Sequence, residues 1–344
     1  MRTTLRVLVS AMLCVMLGTV TACSTSPHRE ASSDSITAAS TEGGTSYPLT
    51  LKTPYGTTVL KSKPTRVAIA GEVGDTENVL SLGIVPVLAP KFQLQWPWID
   101  ADARAKITQT YEGGADGELP LEKFVTARPD VIIAVTDTKL KQHFDKLSQV
   151  APVVAFPDKP ATTQFDWRDS LRLIGAALGR GTEAAKQITA TNDKIDGVKK
   201  RHPEFAGKSI TFAIDYGPGY GLTFYTGKGS PGEALFHRLG FDPSDHADRF
   251  TGERPQVSDE QLALLDSDIV VVNYNTGETA KKKLESNKLF ANVPAVKQGH
   301  YVGLLPQGGT SPLAWSMARP TAANLQWSIG YLVPKIATVT KKAS

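Results

Sequence analysis

The stretch TEAAKQITATNDKIDGVKKR, Thr182 to Arg201, decides how the rest of the chain is read. Ala184, Ala185, Ile188, Ile195 and Val198 fall at roughly helical spacing, with Lys, Gln, Asn and Asp between them, so the stretch predicts a long helix with one thin apolar stripe. Gly179-Arg180-Gly181 opens it and Pro203 follows it, and both are helix-boundary chemistry. Twenty helical residues span about 30 Å, enough to reach from one small lobe to another. A rigid spacer between lobes and a surface helix of one large domain both fit this stretch alone, and the flanking sequence separates them.

Before it stands Leu121-Glu122-Lys123-Phe124-Val125-Thr126-Ala127-Arg128-Pro129-Asp130, followed by the apolar run Val131-Ile132-Ile133-Ala134. After it stands Asp259-Glu260-Gln261-Leu262-Ala263-Leu264-Leu265-Asp266-Ser267-Asp268, followed by Ile269-Val270-Val271-Val272. Each copy reads as a short amphipathic helix and then a buried strand. In each, a glutamate (Glu122, Glu260) stands nine positions ahead of the strand and an aspartate directly before it. This correspondence predicts an α/β chain of two similar lobes, residues 47–178 and 204–344, joined by one helix within residues 179–203.

With 41% apolar and 21% charged residues in 344, the composition is that of a globular protein. The first 22 residues differ. Arg2 and Arg6 precede an uncharged run from Val7 to Val20, which reads as an export signal. Val20-Thr21-Ala22-Cys23 resembles the lipobox of bacterial lipoproteins, in which the signal is cut before a cysteine that then carries lipid. Cys14 leaves with the signal, so Cys23 has no partner for an internal disulfide, and acylation explains a lone exported thiol. Removal of the signal takes away Arg2 and Arg6 and no acid, leaving 36 basic against 34 acidic residues, a balance that gives no sign of nucleic-acid binding. Residues 23–46 are mainly Ser, Thr, Ala and Gly with scattered charges, and read as a flexible tether. About 23 such residues have a reach on the order of 25 to 30 Å.

Within the lobes, a hairpin is expected from Leu49–Lys52 and Thr57–Leu60, and a βαβ unit from strands over Arg66–Ala70 and Ile84–Leu88 with a helix over Thr76–Leu82. A single closing helix is expected from Pro312 through Ile329. Open α/β sheets present ligands beyond the carboxyl ends of their strands. By that rule, or by loop position, Trp96, Trp98, Tyr111, Tyr216, Tyr220, Arg249, Arg254, Tyr274 and Trp315 are the candidates to face a cleft. Rings and guanidinium groups together suit a bulky, polar or anionic ligand.

Taken in order, the lipobox, Leu121-Glu122-Lys123-Phe124 with Arg128-Pro129-Asp130-Val131-Ile132-Ile133, Leu171-Arg172-Leu173-Ile174-Gly175, Pro255-Gln256-Val257-Ser258, Leu264 to Val272, and Asn292 to Val302 resemble the periplasmic-binding proteins that feed ABC importers with ferric siderophores, haem or vitamin B12. The resemblance covers roughly residues 47 to 335, and the Trp96-Pro97-Trp98 stretch resembles that of actinobacterial iron-siderophore lipoproteins. It implies a class III binding-protein fold of two αβ lobes on a single spacer helix, a ligand held between the lobes, and no enzymatic activity. It also implies a monomer, lipid-anchored on the extracytoplasmic face of the cell membrane, that docks on an ABC permease and its ATPase through one glutamate per lobe, Glu122 and Glu260. No cofactor or resident metal is implied; the ligand is a ferric siderophore, with haem as the alternative through Tyr111, Tyr216 or Tyr220 as axial ligands. Asp116-Gly117 stands where hydroxamate binders of the family place an arginine, and Gly252-Glu253 where they place a tryptophan.

Two other classes find little in the residues. A hydrolase would need a nucleophile beside a base, and there is no Gly-x-Ser-x-Gly elbow. A receptor for free zinc or manganese would need histidines converging on the cleft, whereas the six here are scattered.

Overall fold

Val67–Ile69 (β3), Val131–Ile133 (β6) and Val153–Val154 (β7) are buried along their whole length, as strands covered on both faces must be, and they pair in parallel in the order β3-β6-β7. A computed structural model describes residues 45–71, 74–113, 118–156, 166–252, 255–307 and 311–342. The signal, Cys23, nearly all of the tether, Asp116-Gly117, Glu253 and Arg254 therefore lie outside the described residues. The hairpin of β1 (Leu49–Thr53) and β2 (Gly56–Leu60) forms as expected, with Leu49 opposite Leu60. The strand expected over Ile84–Leu88 does not form as such. Leu88 alone bridges Ala68, and pairing starts later, between β4 (Ala89–Pro90) and β5 (Thr110–Tyr111). Pro86 lies in the middle of the expected strand and has no N–H to give to a ladder.

The second lobe is built on β8 (Ser209–Asp215), flanked in parallel by β12 (Ile269–Tyr274), which in turn pairs with β13 (Tyr301–Leu304). On its other side β9 (Leu222–Phe224) runs antiparallel, with β11 (Gln256–Val257) beyond it, and β10 (Asp242–Pro243) pairs with the start of β8. The two repeat units occur in equivalent places, but Leu121–Ala127 is an α-helix and Asp259–Leu265 a 3-10 helix. Asp130 and Asp268 have the same work in the two lobes. Each accepts hydrogen bonds from the backbone and hydroxyl of the residue entering the neighbouring strand, Thr65 at 2.8 Å for both and Ser209 at 2.8 and 3.0 Å.

The spacer is the helix Gly181–Arg201, and its buried stripe is Ala184, Ile188, Thr191, Ile195 and Val198. Ala185 is exposed, and Thr191 takes the place expected for it, because steps of four and three residues keep one face of a helix in register. Ala184 and Ile188 belong to the first lobe's core, Ile195 and Val198 to the second's. The helix therefore ends in two different hydrophobic cores, which makes it a strut. The expected closing helix is broken in two, Pro312–Ala318 and Ala322–Thr340. Arg319 precedes Pro320, and the proline ring forces it out of helical geometry, to φ −139° and ψ 72°. The last helix also joins both cores, with Ala322 and Leu325 in the first and Ile329, Leu332, Val333 and Ile336 in the second. It packs along the spacer, where Gln326 donates to Thr191 Oγ1 at 2.8 Å. The chain passes between the sheets once through the spacer, and this second helix stiffens the joint from the side.

Candidate functional site

Four of the central strands end at one place. The residues just beyond them are Gly71 after β3, Asp137 beyond β6, Tyr216 after β8 and Asn275 after β12, and all four line a cleft of about 570 Å³ between the lobes. Parallel strands entering from both sides bring their carboxyl-end loops together there. The aromatic side of the cleft comes from Phe92 on the 3-10 turn Lys91–Gln95, Trp96, Tyr111, and Trp315 on the helix Pro312–Ala318.

The rings are continuous across the lobes. Trp315 lies 5.8 Å from Phe92 in an edge contact and 5.1 Å from Trp96 in a stack. Trp96 stacks on Trp98 at 5.5 Å, Trp98 meets Trp327 at 5.4 Å, and Trp327 stacks on Tyr331 at 5.2 Å. Trp98 thus stands behind the wall and supports Trp96. Tyr111 presents its ring to the cleft while its hydroxyl donates to the Ile69 carbonyl at 3.0 Å.

Of the nine residues expected at the ligand, Trp96, Tyr111, Tyr216 and Trp315 line the cleft. Tyr220 is exposed and outside the lining, and Arg249 sits exposed on the turn Ala247–Arg249. Tyr274 is fully buried in the second lobe's core, where its hydroxyl meets that of Tyr301 at 2.7 Å and burial pushes both phenols up. It is the last residue of β12, and the pleat that buries Tyr274 turns the next residue, Asn275, outward. Asn275 and Asp137 were findable from the strand-end rule. Arg319 was not, since it reaches the cleft only because the closing helix breaks at Pro320.

Behind the wall lies a buried acid. Asp75 Oδ2 accepts from the Thr136 backbone at 3.2 Å, and Gln93 Nε2 donates to the Gly71 carbonyl at 2.8 Å. Burial is the main cause that raises Asp75 to about 7; Thr136 opposes it and nearby Asp137 adds to it. Asp137, at the cleft, pairs with His143 Nδ1 at 2.8 Å. A Cβ on Gly71 would stand 1.8 Å from Asp75 Oδ2 and 2.6 Å from Thr136 Oγ1. Gly71→Ala is therefore expected to cost about 1–3 kcal/mol through overpacking, read by urea denaturation; a stability equal to the wild type would show that Asp75 moves freely.

Glu122 and Glu260 are both exposed, each in the first turn of its lobe's repeat helix. The backbone N–H of Glu260, and then the Ser258 hydroxyl, hold its carboxyl below the usual range. Among the described residues no three His, Cys, Asp or Glu side chains gather as a metal site, and no helix is long and apolar enough to cross a membrane.

A family model described as periplasmic binding protein matches residues 69–307, well over half of the chain. The chain belongs to that family. Its members bind substrates for transport, and the two αβ lobes with the cleft between them are the corresponding architecture. Among its relatives is the Fe(3+)-citrate-binding protein YfmC of Bacillus subtilis, 27% identical over 71% of this chain and 74% of that one. Another is the iron(3+)-hydroxamate-binding protein YxeB of the same organism, 25% identical over 85% and 86%. The solved structure of Streptococcus pneumoniae PiaA in complex with ferrichrome is similar at a TM-score of 0.66 and 26% identity, over 86% of this chain and 99% of that one.

Proposed function

We propose that this protein is the substrate-binding lipoprotein of an ABC importer, which captures a ferric siderophore between its lobes and hands it to a membrane permease. The observation that carries the reading is the interlobe cleft walled by Phe92, Trp96, Tyr111 and Trp315, with polar groups from the strand ends at its base. A ferric chelate is bulky, with apolar arms and an oxygen-rich centre, and such a wall offers it area while a few polar groups orient it. The relatives that bind ferric citrate, ferric hydroxamates and ferrichrome support the same ligand type.

In this reading residues 1–22 direct export, Cys23 carries the lipid, and residues 23–46 tether the globule to the outer face of the membrane as a monomer. The lobes 47–178 and 204–344 close on the ligand about the strut 179–203. With one exposed glutamate on each lobe, Glu122 and Glu260 dock on basic side chains of the permease, which its ATPase drives. No catalytic step is required of the chain.

Tryptophan fluorescence tests the capture step directly, since three of the five tryptophans stand in or directly behind the cleft wall. Saturable quenching at sub-micromolar ferric siderophore is expected, with a Glu122→Ala/Glu260→Ala double variant binding equally well yet failing to support uptake. Quenching by haem alone, with a Soret shift, would overturn the siderophore reading, and a weakened affinity in the double variant would overturn the docking role.

A further inference from the structure

The charge of the cleft says which ferric chelates it admits. Among the described lining residues Arg319 is the one permanent cation, against the carboxylates of Glu118 and Asp137. Asp137 is committed to His143 at 2.8 Å and to the Lys139 backbone at 2.9 Å, while Glu118 is exposed at the rim. With His143 neutral the lining carries a formal charge of −1, and with His143 protonated the whole cluster is neutral. The arginines expected to make the cleft basic do not: Arg249 lies away from it on its own exposed turn, and Arg254 lies outside the described residues. The remaining wall is aromatic or aliphatic.

Ferric chelates differ sharply in charge. Three hydroxamates, one negative charge each, cancel the three positive charges of the iron; three catecholates, two each, leave the complex at −3. A triply negative ligand entering an apolar cleft would lose hydration and find a single guanidinium, with two carboxylates to repel it. An uncharged trihydroxamate loses little on entry and lays its methylene arms on Trp96 and Trp315. We infer that the cleft selects ferric chelates of zero or positive charge, of the trihydroxamate type, and discriminates against tricatecholates by charge. This rests on the siderophore reading above. Glu118 is the specificity-determining residue at the rim, favouring chelates that carry a free ammonium.

The test is equilibrium titration of the full chain in detergent with three ferric chelates: ferrichrome, uncharged; ferrioxamine B, with one free ammonium; and ferric enterobactin, at −3. Both hydroxamates are expected to bind at least 100-fold more tightly than the tricatecholate at physiological salt, with a wider gap at low salt, where screening is weaker. Glu118→Lys is expected to narrow the gap about tenfold, chiefly by weakening ferrioxamine B and strengthening enterobactin. Enterobactin binding as tightly as ferrichrome, or a ratio unmoved by Glu118→Lys, overturns the charge selection while leaving siderophore capture intact. Failure of all three to bind overturns the transport reading itself, and the selection with it.

Discussion

Glu77→Ala is expected to lower the stability of the folded chain by about 3 kcal/mol, because it removes a buried acceptor that pins the last helix to the first lobe. Glu77 lies in the helix Asp75–Ser81 and is 2% exposed. Its Oε2 accepts from the Thr321 hydroxyl at 2.5 Å and from Asn324 Nδ2 at 3.2 Å. Thr321 is the N-cap of the helix Ala322–Thr340, so one carboxylate holds the cap of an element 244 residues away in sequence. Alanine would leave a hydroxyl and an amide buried without that acceptor, and a void beside them. Arg319 and Trp315, the groups the closing segment brings to the cleft, would lose their anchor, so affinity should fall as well.

The same group gives stability a pH dependence. Burial is the first cause that raises Glu77 from 4.5 to about 7; the Thr321 hydroxyl, the Trp98 indole and the Asn324 amide face the carboxylate and offset only part of it. Asp75 rises from 3.8 to about 7 in the same region, again mainly through burial. For an acid with a raised folded value, the folded state binds the proton more readily than the unfolded chain. Its contribution is therefore complete below about pH 4 and is lost as pH rises through 7, on the order of 3 kcal/mol for each carboxyl. Glu77→Gln keeps an oxygen acceptor and removes the titration. Urea denaturation at pH 5 and pH 7.5 should show a clearly smaller drop for the glutamine variant than for the wild type. Equal drops would mean that Glu77 does not titrate in this window.

Trp96→Ala is the second large effect, expected to cost about 3–5 kcal/mol of stability. Trp96 is 6% exposed and is the central ring of the column, stacked on Trp98 on one side and Trp315 on the other. Its removal separates the first lobe's rings from Trp315, and the cleft loses the middle of its wall. Siderophore affinity should fall on the order of 10- to 100-fold, the equivalent of about 1.4–2.8 kcal/mol of lost apolar and ring contact. Trp96→Phe should recover a good part of both. A Trp96→Ala protein that binds as tightly as the wild type would remove the column from the binding site.

Local signals in the chain were legible wherever one element determines its own outcome. The spacer could be read from a stripe and two breakers, and the paired lobes from two copies of one helix-strand unit with Asp130 and Asp268 at matching places. Trp96, Tyr111, Tyr216 and Trp315 could be placed at the cleft because strand ends and aromatic loops gather there. Tyr274 could not be separated from Asn275, since a shift of one residue on a strand exchanges the two faces and only the packed sheet sets which one is inward.

Sequence alone thus determined the α/β class, the two lobes and the strut between them, because hydrophobic periodicity and breaker residues act over a few turns of chain. The tertiary structure decided which groups share the cleft and which support it from behind. Glu77 meeting Thr321, Trp98 meeting Trp327 and Arg319 arriving at the rim all join segments more than 200 residues apart. Such contacts are set by how two cores pack along the spacer and the last helix, and no local pattern encodes that packing.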